Sequence, residues 1–418
     1  MCETKTCPVA GVTEVDFNSR EFAENYKQVY ADIHASGCPY VHSSAGDFYG
    51  LASHNDIVKA CANVKMWSSK LGPALRYQGP DEPGVLVSVD PPEHTFEAKL
   101  VGKAFSKTYF ESFIPGITEF INGRIDSVFA DGHCDIHKVL SEPLPLWVIF
   151  AMFGRSIDDK GIELYRESFA KGIGAMLKPE DQIAADASTK GGAASEYVAT
   201  FMWDHLQDMK AKVSSGEVKP DENLLTRFIT AEVDGQRLSD EKIMAFCAFL
   251  LAAGSGTTTI LVSALLYRLL REPEQLARVK ADRTLVPIAI EECLRVDSPL
   301  HGLFRTNNEP IELGPLKLEK DTKVLMMWGA GNYDPNVFPN PYEFDLDRGM
   351  MQVRKHLSFG YGIHICRGAP LSRIEAELFI NIILDRLPNV CLDGSVEPDY
   401  RIPIFSGIRS LPIAWDVA

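Results

Sequence analysis

The chain has 418 residues, 45% of them hydrophobic and 24% charged, a composition typical of a globular protein with a substantial core. Its formal charge of -15 argues against a nucleic-acid partner, because phosphate binding requires clustered Lys and Arg. The nine cysteines are scattered without C-x-x-C pairs and the first residues lack a secretion signal, so we expect a reducing cytoplasm and no disulfide scaffold.

The first elements in chain order are a helix predicted over Arg20 to Ala35 and short apolar segments from Tyr40 to Leu51. A further helix start is signalled near residue 90. There Asp90 can cap the helix, Pro91 suits its first position and Glu93 completes a capping box. Helical patterning is therefore expected to dominate from this point to about Arg305.

Apolar positions at helical spacing continue through the middle of the chain. They predict helices over Tyr109 to Phe129, Ile136 to Phe153, Glu196 to Val213 and Asn223 to Ala231. The segment from Gly172 to Gly192 is rich in Gly, Ala, Lys and Asp, which is typical of an irregular connection.

A long helix is predicted from about Ser239 to Arg271, and it would measure about 50 Å at 1.5 Å per residue. Its uncharged stretch from Phe246 to Leu266 is long enough to span a bilayer. The polar sequence GSGTTT in its middle and the absence of flanking aromatic belts favour a buried core helix instead. We therefore expect no membrane association.

After Arg305 short β-prone segments alternate with turn residues, and a Gly-rich turn then leads into an amphipathic helix from Ala369 to Leu387. Together the elements predict a mainly α fold with a small β-rich part, in a single domain over residues 1–418.

The most informative feature is the tight turn that ends at Cys366, just before that last helix. A helix N-terminus lowers the pKa of a thiol and glycines let backbone N–H groups approach the sulfur. A lone cysteine after such a turn would more often be an ordinary buried thiol. The turn as a whole also contains Phe359, Gly360, Gly362, His364 and Gly368.

The full pattern F-G-x-G-x-H-x-C-x-G resembles the haem-binding loop of the cytochrome P-450 superfamily, and four further segments follow the family's order between about Asp90 and Arg373. The resemblance implies the triangular, helix-rich P-450 fold, with haem b between the long helix and the turn. Cys366 would be the axial iron ligand. Phe359, Gly360, His364 and Gly368 would contact the cofactor.

A second segment, Glu292-Cys293-Leu294-Arg295, resembles the family's E-x-x-R pair. Three-residue spacing places Glu292 and Arg295 on one helix face, where they can join a buried charged network with the downstream loop. Alone the pattern equally describes a surface ion pair. Within the resemblance its role is structural, on the proximal side of the haem.

The two haem propionates need cationic or hydrogen-bonding partners, since buried carboxylates are costly when unpaired. His94, Arg305 and His356 match family positions for this role. The family usually also has Arg four residues after the helix histidine, whereas this chain has Ala98 there. Lys99 lies about 100° further round the helix and is a poor substitute.

The middle of the long helix resembles the family's oxygen-binding motif. Ala253 and Gly254 would form the floor of the oxygen pocket, and Thr257, with Thr258 beside it, falls at the family's alcohol position. The acid position, however, is Gly256. Because O–O cleavage needs protons, either water, substrate or another residue supplies them, or the reaction differs. Gly256 could also simply loosen the helix.

The resemblance implies insertion of one oxygen atom from O2 into a hydrophobic substrate, with electrons from NAD(P)H through a separate acidic iron-sulfur ferredoxin and its reductase. A peroxide-using enzyme, a nitric oxide reductase and a haem-based sensor are the alternatives. The variable segments 69–87 and 172–183 would line the substrate pocket, with Ser69 as one polar candidate. Other pocket candidates are Tyr77, Leu250, Pro299, Leu300, His301 and Leu303.

The basic residues Arg354, Lys355 and Arg367 surround the cysteine turn in an otherwise acidic chain. They would form a positive patch that steers an acidic electron donor, or else an ordinary solvated charge cluster. A monomer is expected.

Overall fold

The computed structural model describes residues 12–43, 46–79, 84–102, 105–158, 160–162, 164–165, 193–399 and 404–417. The predicted irregular connection from Gly172 to Gly192 lies outside these residues.

Most of the described chain is helical. The helices are α1 (Arg20–Ala35), α2 (His54–Ala62), α3 (Glu93–Gly102), α4 (Lys107–Glu111), α5 (Ile114–Asp126), α6 (Pro143–Met152), α7 (Ala193–Ser215), α8 (Leu224–Thr230), α9 (Asp240–Arg271), α10 (Pro273–Ala281), α11 (Val286–Val296), α12 (Trp328–Gly331), α13 (Met350–Val353) and α14 (Ala369–Arg386). A π-helical turn, His137–Ser141, precedes α6.

The strands form one mixed sheet and several small ribbons. The strands of the sheet are β1 (Thr13–Glu14), β2 (Tyr40–Ser43), β3 (Phe48–Leu51), β4 (Trp67–Ser68), β8 (Leu303–Asn307) and β11 (Lys323–Met326). They lie in the order β1-β2-β3-β11-β8-β4, and β11 pairs parallel with β3 but antiparallel with β8. The ribbons are built from β5 (His133–Asp135), β6 (Glu232–Val233), β7 (Gln236–Arg237), β9 (Ile311–Leu313), β10 (Leu316–Leu318), β12 (Cys391–Leu392), β13 (Glu397–Asp399), β14 (Gly407–Ser410) and β15 (Pro412–Ala414).

Helix α9 runs through the core. It begins where the Ser239 hydroxyl accepts a hydrogen bond from the Lys242 N–H, and it extends over 32 residues. It packs against α6, α11 and α14. Within the described ranges it is the one helix long and apolar enough to cross a membrane, and half of its most apolar stretch is buried inside the protein. The prediction that α9 is a core helix therefore agrees with its packing.

Most element predictions agree with the structure, and the mainly α fold with a small β part is confirmed. The predicted capping box at Asp90 is wrong, because α3 begins at Glu93. The Asp90 carboxylate instead accepts hydrogen bonds from the Ser68 hydroxyl (2.5 Å) and the Ser69 N–H (2.9 Å). The Asp90 side chain therefore bonds to residues of β4 and its flank, more than 20 positions earlier in the chain, and does not cap α3.

Candidate active site around Cys366

The turn before α14 is fixed by its backbone. The Cys366 N–H donates to the Phe359 carbonyl oxygen at 2.9 Å and closes the turn. Gly360 and Gly362 have φ of +71° and +77°, in the left-handed region that favours glycine. A Cβ on Gly362 would also overlap the carbonyl oxygen of Cys61. The glycines therefore let the loop fold back against α2 and present Cys366 at the start of α14.

The Cys366 side chain lies deep in the protein, and burial raises the pKa of its thiol. The N–H groups of Gly368 and Ala369 hydrogen-bond to the sulfur and act in the opposite direction. The N–H groups at the start of α14 therefore act on the pKa in the predicted direction, although burial outweighs them in the free thiol. The residue is nevertheless solvent-accessible, so it is open to a ligand although many protein atoms surround it.

Glu292 and Arg295 form a salt bridge on α11 whose side chains are both fully buried, with a shortest distance of 2.8 Å. Arg295 also donates to the carbonyl oxygens of Asn332, Pro341 and Glu343. Arg348 donates to Glu292 at 3.0 Å. Every strong donor and acceptor is thus satisfied, and the pair fastens α11 to the loop that precedes the cysteine turn.

A second carboxylate, Glu291, ties the same helix to α14. It accepts hydrogen bonds from His356 (2.9 Å) and Arg373 (2.5 Å). Burial alone would raise the pKa of Glu291, but these two partners hold it at about 2. The other His356 ring nitrogen accepts from the Ser358 N–H at 3.2 Å. The prediction of His356 as a propionate partner is therefore wrong, because both ring nitrogens are already occupied.

Three basic side chains, those of His94, Arg305 and His364, lie close together at the cysteine turn. The rings of His94 and His364 are 4.5 Å apart, and the Ser69 hydroxyl is 3.0 Å from Nε2 of His364. Burial lowers the pKa of His94, and it lowers that of His364 to about 3, an effect that the charge of Arg305 reinforces. Ser69 is therefore a member of this cluster and not an anchor for the substrate.

Arg305 is 3% exposed and donates to the neighbouring Phe304 carbonyl at 2.9 Å. Among the described residues no carboxylate lies within salt-bridge distance of its guanidinium, and burial lowers its pKa. The Asp90 carboxylate acts on this charge only from beyond salt-bridge distance, and a buried cation without a paired carboxylate is costly. The site is therefore built to receive an anionic group.

On the opposite side of the site, α9 turns Ala253 toward accessible space, although this helix runs through the core. The Thr257 hydroxyl donates to the Ala253 carbonyl at 2.7 Å. Gly256 brings no side chain to this face. Thr258 is buried at 4% exposure, whereas Thr257 is partly exposed.

Gly254 has a different environment from the predicted one. A Cβ on Gly254 would meet the side chain of Ile149 on α6 at 2.7 Å. The residue therefore allows α9 and α6 to pack closely, and of the predicted pair only Ala253 faces the accessible space.

Two of the predicted substrate-pocket residues are engaged elsewhere. His301 is buried, with Nδ1 bonded to the Tyr30 hydroxyl at 2.8 Å and Nε2 to the Ser406 hydroxyl at 3.0 Å. Tyr77 is 43% exposed, and its hydroxyl donates to the Asp321 carbonyl at 2.7 Å. The anchor prediction for His301 is wrong because both ring nitrogens already have partners. Tyr77 stays a prediction, since its hydroxyl hydrogen is engaged but its oxygen can still accept a hydrogen bond.

The remaining pocket candidates are apolar and differ in burial. Leu250 and Leu303 are partly exposed, on α9 and at the start of β8, while Pro299 is buried and Leu300 packs against the core. Part of the predicted lining, residues 80–83 and 172–183, lies outside the described residues.

The predicted basic patch lies at the surface, where Arg354, Lys355 and Arg367 are all exposed. Sequence reasoning missed the apolar side chains among them: Met351 is 90% exposed, Tyr361 43% and Ile365 49%. Exposed hydrophobic residues that flank the cysteine turn would have been a usable signal, since a basic patch with an apolar component is typical of a docking surface.

Sequence reasoning also missed Glu375 on α14. Its carboxyl is 3% exposed, Oε2 has no hydrogen-bond partner among the described residues, and burial raises the pKa to about 8. In the sequence it is one more charged residue on an amphipathic helix, so only the packing of α14 against α9 and α11 reveals it.

These residues fit a flat apolar cofactor with one sulfur-bound metal and an anionic edge. The accessible sulfur of Cys366 offers a single soft ligand. The buried Arg305, with His94 and His364 beside it, offers partners for carboxylates. The small Ala253 leaves space on the opposite side. Haem has this combination of properties.

Comparison with known proteins agrees with that chemistry. The cytochrome P-450 family model matches residues 52–401 of the chain. The chain is 32% identical over 409 residues to cytochrome P-450 monooxygenase PikC of Streptomyces venezuelae, covering 95% of this chain and 92% of that protein. It is 32% identical over 330 residues to 6-deoxyerythronolide B hydroxylase of Saccharopolyspora erythraea, covering 78% and 77%.

Among solved structures, the chain is similar to CYP109E1 from Bacillus megaterium, in a complex with corticosterone. The TM-score is 0.79 at 25% identity, with 95% of this chain and 100% of that chain covered. The family resemblance that the sequence motifs indicated is thus confirmed over nearly the whole length of the chain.

Proposed function

The chain belongs to the cytochrome P-450 family and is a monooxygenase of that family, and from this premise we propose that the thiolate of Cys366 would hold the iron of haem b. The observation that carries the assignment is the solvent-accessible Cys366 at the start of α14, near the buried Arg305, which forms no salt bridge with a carboxylate of the described residues. When bound, the haem would supply the activation of O2, which electron donation from the thiolate favours.

The proximal residues would hold the ligand loop rigid. Glu292 and Arg295 lock α11 onto the preceding loop, and Glu291 fixes the segment around His356 and the start of α14. Phe359, Gly360 and Gly368 would shape the space beneath the cofactor, since the Gly368 N–H already bonds the sulfur. We assign the propionates to His94, Arg305 and His364.

Proton delivery on the distal side would depend on Thr257 and water. The Thr257 hydrogen is committed to the Ala253 carbonyl, so its oxygen is available as an acceptor that orients a water molecule. The missing side chain at Gly256 leaves room for that water. A relay built this way is less directed than one with a fixed carboxylic acid.

The proposed substrate is a small or medium hydrophobic molecule. The accessible residues Leu250 and Ala253 on α9 are apolar, and the two polar anchors considered, Tyr77 and His301, are engaged elsewhere. The relatives act on or bind molecules of this kind, as their names 6-deoxyerythronolide B hydroxylase and the corticosterone complex indicate. A steroid is therefore a suitable first probe.

The electrons would come from NAD(P)H through a reductase and an acidic ferredoxin in the cytoplasm. Arg354 and Lys355, together with the exposed Met351, Tyr361 and Ile365, form a surface with charge and apolar area for such a partner. Steering of this kind weakens as ionic strength rises.

The test is a turnover assay with purified haem-loaded protein, NADH, reductase, an acidic ferredoxin and a panel of steroids under isotopically labelled O2. The proposal expects a product that contains one labelled oxygen atom. Electron consumption that forms only hydrogen peroxide, with every substrate in the panel, would contradict it as written.

Gly256 favours one second candidate, a haem-thiolate enzyme that reacts without the usual proton relay. Nitric oxide reduction directly from NADH, without ferredoxin, would identify that alternative in the same preparation. A sensor would take up no electrons from any donor.

A further inference from the structure

A second cavity lies away from the cysteine turn, between α7, the C-terminal end of α6 and the segment that follows α6. Its volume is about 410 Å³, and the described residues that line it do not include Cys366, Arg305 or Ala253. Cavities that bind small molecules commonly measure roughly 300–1,000 Å³. The size of this cavity therefore suits an occupant with a single substituted ring.

One wall of the cavity is a single face of α7. It is formed by Phe201, His205, Met209 and Lys212, whose spacing of three or four residues places their side chains on the same side of the helix. The Phe201 ring packs against Phe150 of α6, with the ring centroids 5.8 Å apart. The apolar part of the wall therefore suits an aromatic ring.

Arg155 brings a positive charge to the cavity. Gly154, with φ of +73°, follows the end of α6, and the Arg155 N–H donates to the Phe150 carbonyl oxygen at 3.0 Å. This turn places the Arg155 guanidinium over the Phe201 ring, 4.2 Å from the ring centroid. No carboxylate of the described residues lies within salt-bridge distance of it. The guanidinium can therefore bind a carboxylate of a ligand through paired hydrogen bonds.

The two acidic side chains of the cavity have partners within the protein. Asp208 forms a salt bridge with Lys212 at 2.9 Å, and Asp158 accepts a hydrogen bond from the Gly161 N–H at 2.8 Å. Both carboxylates belong to exposed residues, so water also solvates them. Arg155 is therefore the cation of this cavity that remains for a ligand.

His205 supplies a second, uncharged binding group. It is 2% exposed, and its Nε2 lies 2.9 Å from the Phe153 carbonyl oxygen, which can only accept, so Nε2 carries the hydrogen. Burial lowers the pKa of His205, and the ring is neutral at physiological pH. Its Nδ1 therefore has a free lone pair, to which no described residue donates. Because an unpaired buried acceptor is costly, a ligand hydroxyl that donates to Nδ1 would be favoured.

We propose that this cavity binds a small aromatic carboxylic acid that carries a hydroxyl group. The carboxylate would pair with Arg155, the ring would pack against Phe150 and Phe201, and the hydroxyl would donate to Nδ1 of His205. Phe201, under the guanidinium, and His205 are one helical turn apart, roughly 6 Å, a distance that a benzene ring can span. The inference does not rest on the proposed haem site, because the two sites share no residue.

The experiment is isothermal titration calorimetry of the purified haem-loaded protein with 4-hydroxyphenylacetate. The wild type should bind one equivalent, and Arg155→Gln should bind it roughly tenfold more weakly because it loses charge-assisted hydrogen bonds. Lys210→Gln is the matched control and should leave the affinity unchanged. Lys210 is a cation on the same helix, but it pairs with Asp240 at 2.7 Å and does not line the cavity.

Phenylacetate, which lacks the hydroxyl, tests the contact with His205. It should bind the wild type roughly fivefold more weakly than 4-hydroxyphenylacetate does, whereas His205→Phe should bind both ligands with equal affinity. Circular dichroism shows whether this variant folds, and the comparison of the two ligands on the wild type tests the hydroxyl contact without it.

Three results would overturn the inference: no binding of 4-hydroxyphenylacetate to the wild type, equal affinities for Arg155→Gln and the wild type, or equal weakening by Lys210→Gln. Binding that shifts the Soret band and is unchanged in Arg155→Gln would also overturn it, since that result places the ligand at the haem.

Discussion

The two sides of the proposed haem plane differ in how tightly they are built. On the proximal side Glu291, Glu292 and Arg295 are buried and fully hydrogen-bonded, and they connect α11, the intervening loop and α14. On the distal side α9 presents Ala253, Gly256 and Thr257, with one hydroxyl bonded to its own helix. The proximal side is rigid so that it holds the ligand, whereas the distal side leaves the space in which chemistry occurs.

The largest effect should come from breaking the proximal network. Arg295→Leu leaves Glu292 buried and partly unpaired, so we expect a loss of about 3–5 kcal/mol in the free energy of unfolding. Urea denaturation followed by circular dichroism measures it. Lys317→Ala, which breaks an exposed pair with Glu312, is the control and should cost less than about 1 kcal/mol. Similar losses in the free energy of unfolding for both variants would mean that the proximal network is no more tightly built than an exposed ion pair.

A second test concerns the unpartnered acid on α14. Burial raises the pKa of Glu375 from its ordinary 4.5 to about 8, so the folded state binds the proton more tightly than the unfolded state. The contribution of Glu375 to the stability of the wild type should therefore fall as pH rises from 4.5 to 8. Glu375→Gln should remove that loss and gain about 2–4 kcal/mol at pH 8, with no gain at pH 4.5.

The exposed neighbour Glu377 provides the control for this pH dependence. Glu377→Gln should change stability little at either pH, as measured by urea denaturation. A gain for Glu375→Gln that is the same at both pH values would mean that folding does not raise the pKa of this carboxyl.

The distal side is tested by restoring the missing acid. Gly256→Asp should raise the ratio of organic product to hydrogen peroxide roughly tenfold, because a fixed acid delivers protons better than free water. Product is measured by mass spectrometry and peroxide by a coupled peroxidase assay. Gly256→Ala controls for the added Cβ, and an identical ratio in both variants would count against a proton deficit.

The smallest effect is expected at Tyr77, whose hydroxyl already donates to Asp321. Tyr77→Phe should leave the substrate dissociation constant within about twofold and cost about 1 kcal/mol or less in stability. The substrate-induced spectral shift measures binding. Ala253→Leu is the positive control, since it fills the accessible face of α9. A tenfold weaker substrate affinity in Tyr77→Phe would show instead that the Tyr77 hydroxyl binds substrate.

Sequence patterns predicted features that depend on local spacing. The long helix, the cysteine turn and the Glu292–Arg295 pair were all visible, because helical periodicity, glycine geometry and three-residue spacing are local properties. The same resemblance predicted the family, which the whole-chain similarity confirms.

The errors involve side chains whose partners are distant in sequence. His356 pairs with Glu291, 65 positions away, and His301 with Tyr30, 271 away. The Asp90 carboxylate accepts hydrogen bonds from Ser68 and Ser69 and does not cap α3. Residue type indicated that each could bind or cap, but only tertiary packing decided which group it met.

The central claim, thiolate ligation by Cys366, is tested most directly by the visible spectrum of the reduced carbon monoxide adduct. The wild type should show the strongly red-shifted Soret band of a thiolate-ligated haem, and Cys366→Ser should lose that band. A wild-type protein that binds haem without the red-shifted band, or a Cys366→Ser protein that keeps it, would contradict the account.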